Sequence, residues 1–359
     1  MTGAAVPAPV LVVGAGLLGT SIGLALQRHG VDVLLADVSE EHVRTASGLG
    51  AGRALSKGDL PRLVVVAVPP DHVAPAVGDA LRRYGNAVVT DVGSVKAAPL
   101  AAVRGQVSAD DLARYVGSHP MAGSERSGPL AASGALFDGR PWAVTPHDGS
   151  SAEAVAAVTR LVEACGGTAL RFGPEDHDRA VARTSHLPHL LAVLVAGRLA
   201  GAPAEHLALS GQGVRDVTRI AAGDPRLWRQ IIGANTTAVT ALLQEVQDDL
   251  GSLLQALRQE DGEAVEQLLG RGVAGTAALP GKHGGPQGPQ TGVFVLVPDA
   301  PGELARLFSD VGDIGVNVED FRIDHDPGRP VGVAEITVAA DRAGHLLAAL
   351  ADRGWTAHG

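Results

Sequence analysis

The feature that most constrains the fold is a glycine-rich turn that directly follows a short apolar run. Val10–Val13 leads into the sequence GAGLLG, residues 14–19, and an amphipathic helical pattern follows it. Gly14 permits a tight turn, Gly16 lets a ligand approach the backbone, and Gly19 permits close packing of the helix on the strand. This strand–turn–helix unit predicts a Rossmann-type dinucleotide-binding fold.

The residues around this turn predict how a dinucleotide would bind. Leu17 and Leu18 open the helix, whose free backbone amides and partial positive charge favour a pyrophosphate. Asp37 ends the next predicted strand, where its carboxylate can accept hydrogen bonds from ribose hydroxyls and would repel the 2′-phosphate of NADP. We therefore expect NAD as the cofactor. Val68 and Pro69 end a further strand and are expected to border the adenosine half, with a simple strand-ending role as the alternative.

The pattern of apolar and polar residues divides the chain into three predicted domains and a linker. Residues 1–173 alternate short apolar runs with amphipathic stretches, which predicts an α/β domain with a doubly wound parallel sheet. Residues 174–275 have helical periodicity, including one long helix over Pro225–Leu269 whose apolar face would pack against a partner chain. Residues 276–290 are rich in Gly, Pro and Gln and are expected to be a linker. Residues 291–359 follow the order βαββαβ of a ferredoxin-like fold.

Composition and charge argue against several classes of function. The formal net charge of −10 argues against nucleic acid as a partner, because that surface needs clustered Lys and Arg. No apolar stretch is long enough to suggest a membrane span. Cys165 is the only cysteine, so an internal disulfide is impossible and a reducing compartment fits. The N-terminus lacks the basic region of a signal peptide, so we expect a cytoplasmic protein.

One further segment places polar side chains after a predicted cofactor-binding strand. Ser94 follows the predicted strand Ala87–Thr90. Ligands of doubly wound sheets lie at the carboxyl ends of the strands, so Ser94 is expected where nicotinamide and substrate meet. A helix N-cap is the alternative role for Ser94. Lys96 is expected to be a solvated helix residue rather than a catalytic lysine.

The segment GSHPMAGSE, residues 117–125, contains a candidate catalytic histidine. A strand is predicted over Arg114–Gly117, and His119 is then expected in a bend bounded by Pro120 and Gly123. A nicotinamide enzyme that oxidises an alcohol needs a base beside the hydroxyl, and neutral histidine suits that role near neutral pH. His119 is therefore the candidate general base.

Five motifs occur in one order along the chain. They are GAGLLG at 14–19, DVGSVK at 91–96, GSHPMAGSE at 117–125, SHLPH at 185–189 and RDVTRIA at 215–221. Each motif alone is moderately specific, whereas five in this order and at these separations are highly specific. In them the chain resembles the prephenate/arogenate dehydrogenase family over nearly its whole length.

This resemblance implies an activity and a set of roles. The activity would be NAD-dependent oxidative decarboxylation of prephenate to 4-hydroxyphenylpyruvate, or of arogenate to tyrosine, in a homodimer without a metal. His119 would be the base on the ring hydroxyl, Ser94 would hold the same hydroxyl, and Arg219 would bind a substrate carboxylate. Further residues implied in substrate binding are His189, which would line the pocket, and Ser124 and Glu125 near its entrance. His186 and Trp228 are expected to be structural.

The C-terminal unit resembles an ACT domain, a small amino-acid-sensing module. The resemblance rests on residues 297–304 after its first strand and on residues 315–320 before its second. It implies an aromatic amino acid as effector, bound at the turn that opens the first helix, because free amides there can receive an α-carboxylate. A dimerisation module without a ligand is the alternative. The candidate effector-binding residues are Asp299, Pro301, Gly302 and Asn317.

Two other functions compete with this interpretation. One is a β-hydroxyacid-type NAD dehydrogenase of similar architecture, a class that uses a helix lysine as its acid and base. Residues 174–275 contain no lysine, which argues against it. The other is a non-catalytic regulator that binds NAD and an amino acid, and the presence of His119 with Arg219 argues against that. The choice between prephenate and arogenate stays open.

Overall fold

The computed structural model describes residues 5–123, 127–279, 288–325 and 330–359. The chain forms two compact units, Met1–Val246 and Gln247–Gly359. None of the helices in these described ranges is long and apolar enough to cross a membrane.

The first unit begins with a parallel sheet of strand order β3-β2-β1-β4-β5, which confirms the predicted Rossmann-type α/β fold. Its central strands are continuous apolar runs, because helices cover both faces of the sheet. The strands are β1 Val10–Val13, β2 Val33–Ala36, β3 Arg53–Ala54, β4 Leu63–Val66 and β5 Val88–Asp91. The helices are α1 Leu17–Gln27, α2 Glu40–Gly48, α3 Pro70–Arg83, α4 Ala97–Arg104 and α5 Ala109–Leu112.

A second, smaller sheet follows, with the order β6-β7-β8. It contains β6 Gly117–Pro120, β7 Pro141–Thr145 and β8 Thr168–Arg171, with α6 Ala152–Ala164 before β8. Strand β6 runs antiparallel to β7, and β7 runs parallel to β8.

The predictions of a strand over Arg114–Gly117 and of a bend at His119 are wrong. The strand begins at Gly117 and includes His119, which pairs with Ala143 of β7. Pro120 is compatible with this strand, because β6 is an edge strand, where a proline without an N–H is tolerated.

Helices make up the remainder of this region, as predicted, but their boundaries differ. They are α7 Pro174–Val181, α8 Leu187–Leu199, α9 Ala204–Leu207, α10 Gln212–Arg219, α11 Pro225–Ala234, α12 Thr236–Arg258 and α13 Gly262–Ala277. A five-residue π-helical turn, Ala182–His186, joins α7 to α8. Pro188 has no N–H to donate to the carbonyl four residues earlier, so one α-helical hydrogen bond is missing here. This interruption is consistent with the π-helical turn.

The predicted long helix over Pro225–Leu269 is wrong, because the chain leaves helical geometry twice. Asn235 has φ −122°, outside the helical range, and its side-chain amide donates to the backbone carbonyl of Asp178, outside these helices. Glu260 adopts a left-handed φ of 54°, and Asp261 then caps α13 by accepting a hydrogen bond from the N–H of Ala264.

The C-terminal elements follow the order βαββαβ, as the sequence predicted. They are β9 Gln290–Pro298, α14 Glu303–Ile314, β10 Asp320–His325, β11 Val331–Ala339, α15 Ala340–Asp352 and β12 Ala357–His358. The strands form one antiparallel sheet of order β10-β11-β9-β12. The sheet and its two helices enclose an apolar core of their own.

The packing of α1 on the first sheet depends on Gly19. A Cβ at this position would overlap the carbonyl oxygen of Gly14 and would lie 3.0 Å from the side chain of Val12. The obstacle is backbone, so α1 or the turn would have to move.

We expect Gly19→Ala to lower the stability of the first unit by about 1–3 kcal/mol, since overpacking forces a backbone shift. A matched control is Gly48→Ala at the end of α2, where an added Cβ would meet nothing within 4 Å among the described residues. Thermal unfolding of both variants checks this. An unchanged Tm for Gly19→Ala would contradict the close packing of α1 on the turn.

Candidate active site

The glycine turn has the geometry that a dinucleotide pyrophosphate requires. Gly14 adopts φ 102°, and a Cβ there would overlap the carbonyl of Ala67, just beyond β4. By contrast, an added Cβ on Gly16 would meet nothing within 4 Å in the described chain, so space beside it is open. No described side chain caps the start of α1 at Leu17 and Leu18, so its amides are available to an anion. These residues fit a bound dinucleotide.

Asp37 has a structural role that its place in the sequence did not indicate. Its Oδ2 accepts a hydrogen bond from the N–H of Ala15 at 2.6 Å, and its Oδ1 accepts one from the N–H of Ser39 at 2.8 Å. The carboxylate therefore ties the glycine turn to the end of β2, while the side chain stays 12% exposed. Val68, partly buried, and Pro69, exposed, lie just beyond β4 at the same edge of the sheet.

A cavity of about 380 Å³ lies between the segment after β5 and the end of β6. It brings together the two candidate catalytic residues, Ser94 and His119. The other lining residues are 120–123, Ser185, His186, Trp228 and Ile231. The lining thus combines the hydroxyls of Ser94 and Ser185 and two imidazoles with an indole and aliphatic groups.

His119 is partly buried and faces this cavity from β6. Burial lowers the pKa of His119 well below its usual value. Electrostatic repulsion from His177, Lys96 and His186 lowers this pKa further. The imidazole is therefore neutral at neutral pH, which is the form that a general base requires.

A second histidine lies directly behind His119. Nδ1 of His119 is 3.0 Å from Nε2 of His177, and Nδ1 of His177 is 2.9 Å from Oδ1 of Asp178. Asp178 also accepts hydrogen bonds from the backbone N–H groups of Lys96, at 2.8 Å, and Ala97, at 2.9 Å. These contacts tie α7 to the start of α4 and to β6.

The predicted solvated role of Lys96 is wrong, because its side chain is fully buried. Its Nζ pairs with the carboxylate of Asp91 and donates to the carbonyl of Ser118 at 2.8 Å. The hydroxyl of Tyr115 donates to the same carboxylate at 2.7 Å. Burial raises the pKa of Tyr115 well above the usual value for a tyrosine. Burial lowers the pKa of Lys96, and Asp91 opposes that shift. Lys96 is the N-cap of α4, so the N-cap alternative for Ser94 is also wrong.

His186 and Trp228 contribute to the cavity, although the sequence suggested structural roles. Nδ1 of His186 is 3.2 Å from Nδ2 of Asn235, which also donates to the backbone carbonyl of Asp178 at 2.8 Å. Burial lowers the pKa of His186 to about 4. The indole of Trp228 stacks on His189 with ring centres 3.5 Å apart. His189 is buried and is not among the described residues that line the cavity, so its predicted place in the substrate pocket stays a prediction.

Arg219, another predicted substrate-binding residue, is not among the described residues that line the cavity. Arg219 ends α10, a helix without buried residues, and its exposed side chain is not part of the lining. The structure therefore does not bring Arg219 to His119. Ser124 and Glu125 lie outside the described residues.

Sequence reasoning missed His177, Asp178 and Asn235. A usable signal was the clustering of His177, His186 and His189 in one helical stretch of a chain with 13 histidines. Asn235 gave no signal, because its partner Asp178 lies 57 residues away in the sequence.

Two family models match the chain. The model described as "Prephenate dehydrogenase, nucleotide-binding domain" matches residues 22–170. The model described as "Prephenate dehydrogenase, dimerization domain" matches residues 173–271. Together they span most of the first unit, including the cavity and the residues that line it.

Curated relatives and solved structures agree with these matches. The probable prephenate dehydrogenase NovF of Streptomyces niveus is 38% identical over 97% of this chain and 99% of its own length. The prephenate dehydrogenase of Aquifex aeolicus, in complex with hydroxyphenyl propionate and NAD+, has a TM-score of 0.67 at 28% identity, covering 74% of this chain and 96% of its own. The arogenate dehydrogenase of Synechocystis has a TM-score of 0.64 at 25% identity, covering 74% of this chain and 98% of its own. The chain belongs to the prephenate dehydrogenase family.

Proposed function

We propose that this protein catalyses the NAD-dependent oxidative decarboxylation of prephenate to 4-hydroxyphenylpyruvate, or of arogenate to tyrosine, in tyrosine biosynthesis. Its strongest support is the arrangement of a neutral, partly buried His119 beside Ser94 in one cavity at the carboxyl-terminal edge of the parallel sheet. The open glycine turn, and the NAD+ in the Aquifex aeolicus relative, support NAD as the cofactor.

The residues at the cavity divide the work of this reaction. The glycine turn at residues 14–19 would hold NAD, which would supply the acceptor for the hydride that leaves C4 of the substrate ring. His119 takes the proton of the C4 hydroxyl on Nε2, and Ser94 holds that hydroxyl by a hydrogen bond. The O–H electrons form a C4 carbonyl, and the bond from C1 to its carboxylate then breaks, so that its electrons complete the aromatic ring. CO2 leaves, and His119 returns its proton to the phenolate oxygen, so the balance closes without a net proton.

The substrate carboxylates need a cation that the cavity lining does not contain, since no described lining residue is Lys or Arg. We propose Arg219 for this role, because a guanidinium binds a carboxylate bidentately and keeps its charge throughout the reaction. Its exposed position at the end of α10 leaves it accessible to a ligand. Ser124 and Glu125, which follow the cavity-lining residues 120–123, stay candidates for the entrance.

We also propose a homodimer formed through the helical region. Val193, Leu194 and Val195 of α8 are exposed, as are Leu254 and Leu257 of α12. Apolar side chains in such numbers on helices are typical of a surface that another chain covers. The match of this region to a dimerization domain supports the proposal.

For the C-terminal unit we propose an aromatic amino acid as effector. Gly302 has a left-handed φ of 94°, and the start of α14 that follows has no described side-chain cap. Its amides are therefore available to an α-carboxylate at the turn that contains Asp299 and Pro301. Asn317 is exposed and donates to Glu319 at 2.7 Å.

The competing functions are not favoured. A β-hydroxyacid-type dehydrogenase needs a lysine free to exchange protons at the cavity, whereas Lys96 is buried and paired with Asp91. A regulator without catalytic activity would have no need of a neutral imidazole beside a hydroxyl in a cavity.

The proposal predicts the effect of removing the base. His119→Asn should lower kcat by roughly 10²–10⁴-fold, because no group remains to take the hydroxyl proton. The Kd of NAD should stay unchanged, since the glycine turn is untouched. NADH formation with prephenate and with arogenate measures this, and His29→Asn, at an exposed position after α1, is the matched control. A near-normal kcat in the His119 variant would contradict the assignment of His119 as the general base.

The low pKa of His119 predicts the acid side of the pH profile. Only the neutral imidazole is active, so kcat/KM for the substrate at saturating NAD should rise with pH and then level off. Because burial lowers the pKa of His119, the inflection should lie well below the usual 6.5. An inflection at or above that value would contradict the buried environment. The inflection should be missing in the residual activity of His119→Asn.

Cofactor choice should depend on the charge of Asp37. Asp37→Ser should reduce the preference for NAD over NADP, measured as the ratio of kcat/KM values, by about tenfold or more, since the carboxylate repels a 2′-phosphate. The variant also loses the hydrogen bond to Ala15, so its Tm must be measured alongside. Asp110→Ser, at an exposed position in α5, is the control. Wild-type protein that uses both cofactors equally would refute the role of Asp37.

A further inference from the structure

A row of three hydrogen-bonded side chains runs from the cavity into the interior. His119 is partly buried, whereas His177 and Asp178 are almost completely buried and do not line the cavity. The two histidine rings meet edge to face, with centres 5.2 Å apart. The row therefore connects the proposed base to a buried carboxylate outside the lining of the cavity.

The far end of the row has a fixed direction of hydrogen bonding. Oδ1 of Asp178 accepts the backbone N–H of Lys96, and Oδ2 accepts the backbone N–H of Ala97. A backbone N–H can only donate, so both oxygens act as acceptors. Nδ1 of His177, 2.9 Å from Oδ1, must therefore carry a proton and donate it to Asp178.

The donor and acceptor roles of His177 then determine those of His119. A neutral imidazole has one N–H and one acceptor nitrogen, so a proton on Nδ1 of His177 leaves its Nε2 as an acceptor. Nδ1 of His119, 3.0 Å away, must donate to it. The remaining nitrogen of His119, Nε2, then keeps its lone pair. The opposite direction would set the lone pair of His177 against the carboxylate of Asp178.

We propose that His177 and Asp178 are positioning residues that hold His119 in the tautomer with the proton on Nδ1, so that Nε2 is the base. The consequence for catalysis rests on the proposed function, whereas the tautomer itself does not. When Nε2 of His119 takes the substrate proton, the resulting imidazolium still donates its Nδ1–H to Nε2 of His177. The carboxylate of Asp178 stabilises this cation across the intervening ring, as in other histidine–aspartate pairs.

The tautomer can be measured on the full-length, ligand-free protein. Histidine labelled with 15N reports which ring nitrogen carries the proton, and His119→Asn assigns the His119 signals. Above the pKa of His119, we expect the proton on Nδ1 in the wild type. A proton on Nε2 of His119 would overturn the proposal, whether or not the protein oxidises prephenate or arogenate. A wild type with the expected tautomer but without either activity would instead refute the proposed function alone.

Two variants of His177 test its effect on the reaction. His177→Leu removes the acceptor and should lower kcat by about 10²-fold or more, with KM and the Kd of NAD within about twofold of wild type, because His177 lies outside the lining. His177→Gln offers an amide oxygen to Nδ1 of His119 and should recover part of this loss. His29→Leu, at an exposed position, is the matched control.

The outcomes separate positioning from a merely structural role. A folded His177→Leu with wild-type kcat would overturn the proposal, as would equal loss in both variants with the tautomer of His119 unchanged. Should the leucine variant fail to fold, His177→Gln and the wild-type tautomer still decide the matter.

Discussion

The buried contact between Lys96 and Asp91 is the interaction on which the site depends. Asp91 ends β5 in the first sheet, and Lys96 also donates to the carbonyl of Ser118 in β6 of the second sheet. A single ammonium group thus joins the strand before Ser94 to the strand that contains His119. Removing one partner from a buried ion pair costs about 3–5 kcal/mol, whereas the pair itself adds little stability. Its value here is geometric, because it sets the distance between the two sides of the cavity.

The same ammonium group connects structure to chemistry. Its positive charge adds to burial in lowering the pKa of His119, which keeps the imidazole neutral. The backbone N–H of the same residue, Lys96, and that of Ala97 at the start of α4 both donate to Asp178. Asp178 in turn accepts the Nδ1–H of His177, which leaves Nε2 of His177 to accept a hydrogen bond from His119. Lys96 therefore affects the proton affinity of the base through its charge and the tautomer of that base through its backbone N–H.

The parts of the molecule that sequence predicts are those set by local pattern. The glycine turn, Asp37 and the order of strands and helices follow from residues close together in the chain, and the βαββαβ order of the C-terminal unit does as well. The site depends instead on distant partners: Lys96 is buried because a carbonyl of β6 receives it, and His119 meets His177 across 58 residues. The strand at Gly117–Pro120 depends on its place at a sheet edge, which no local rule for proline reveals.

In the proposed function, different parts of the chain bind the ring hydroxyl and the carboxylates of the substrate. In the proposed function, the ring hydroxyl faces Ser94 and His119, whose surroundings are held by the buried contacts of Lys96 and Asp178. In the same proposal, the carboxylates are bound by Arg219 at the end of an exposed helix, in the region that matches a dimerization domain. Chemistry at the hydroxyl is therefore fixed by the interior of one chain, because a proton transfer needs a base in one tautomer and one position. Carboxylate recognition tolerates a mobile side chain, because a guanidinium stays charged in every environment and finds its partner by long-range attraction. An enzyme of this kind can change its preference between a keto acid and an amino acid at the exposed end without disturbing the buried proton acceptor.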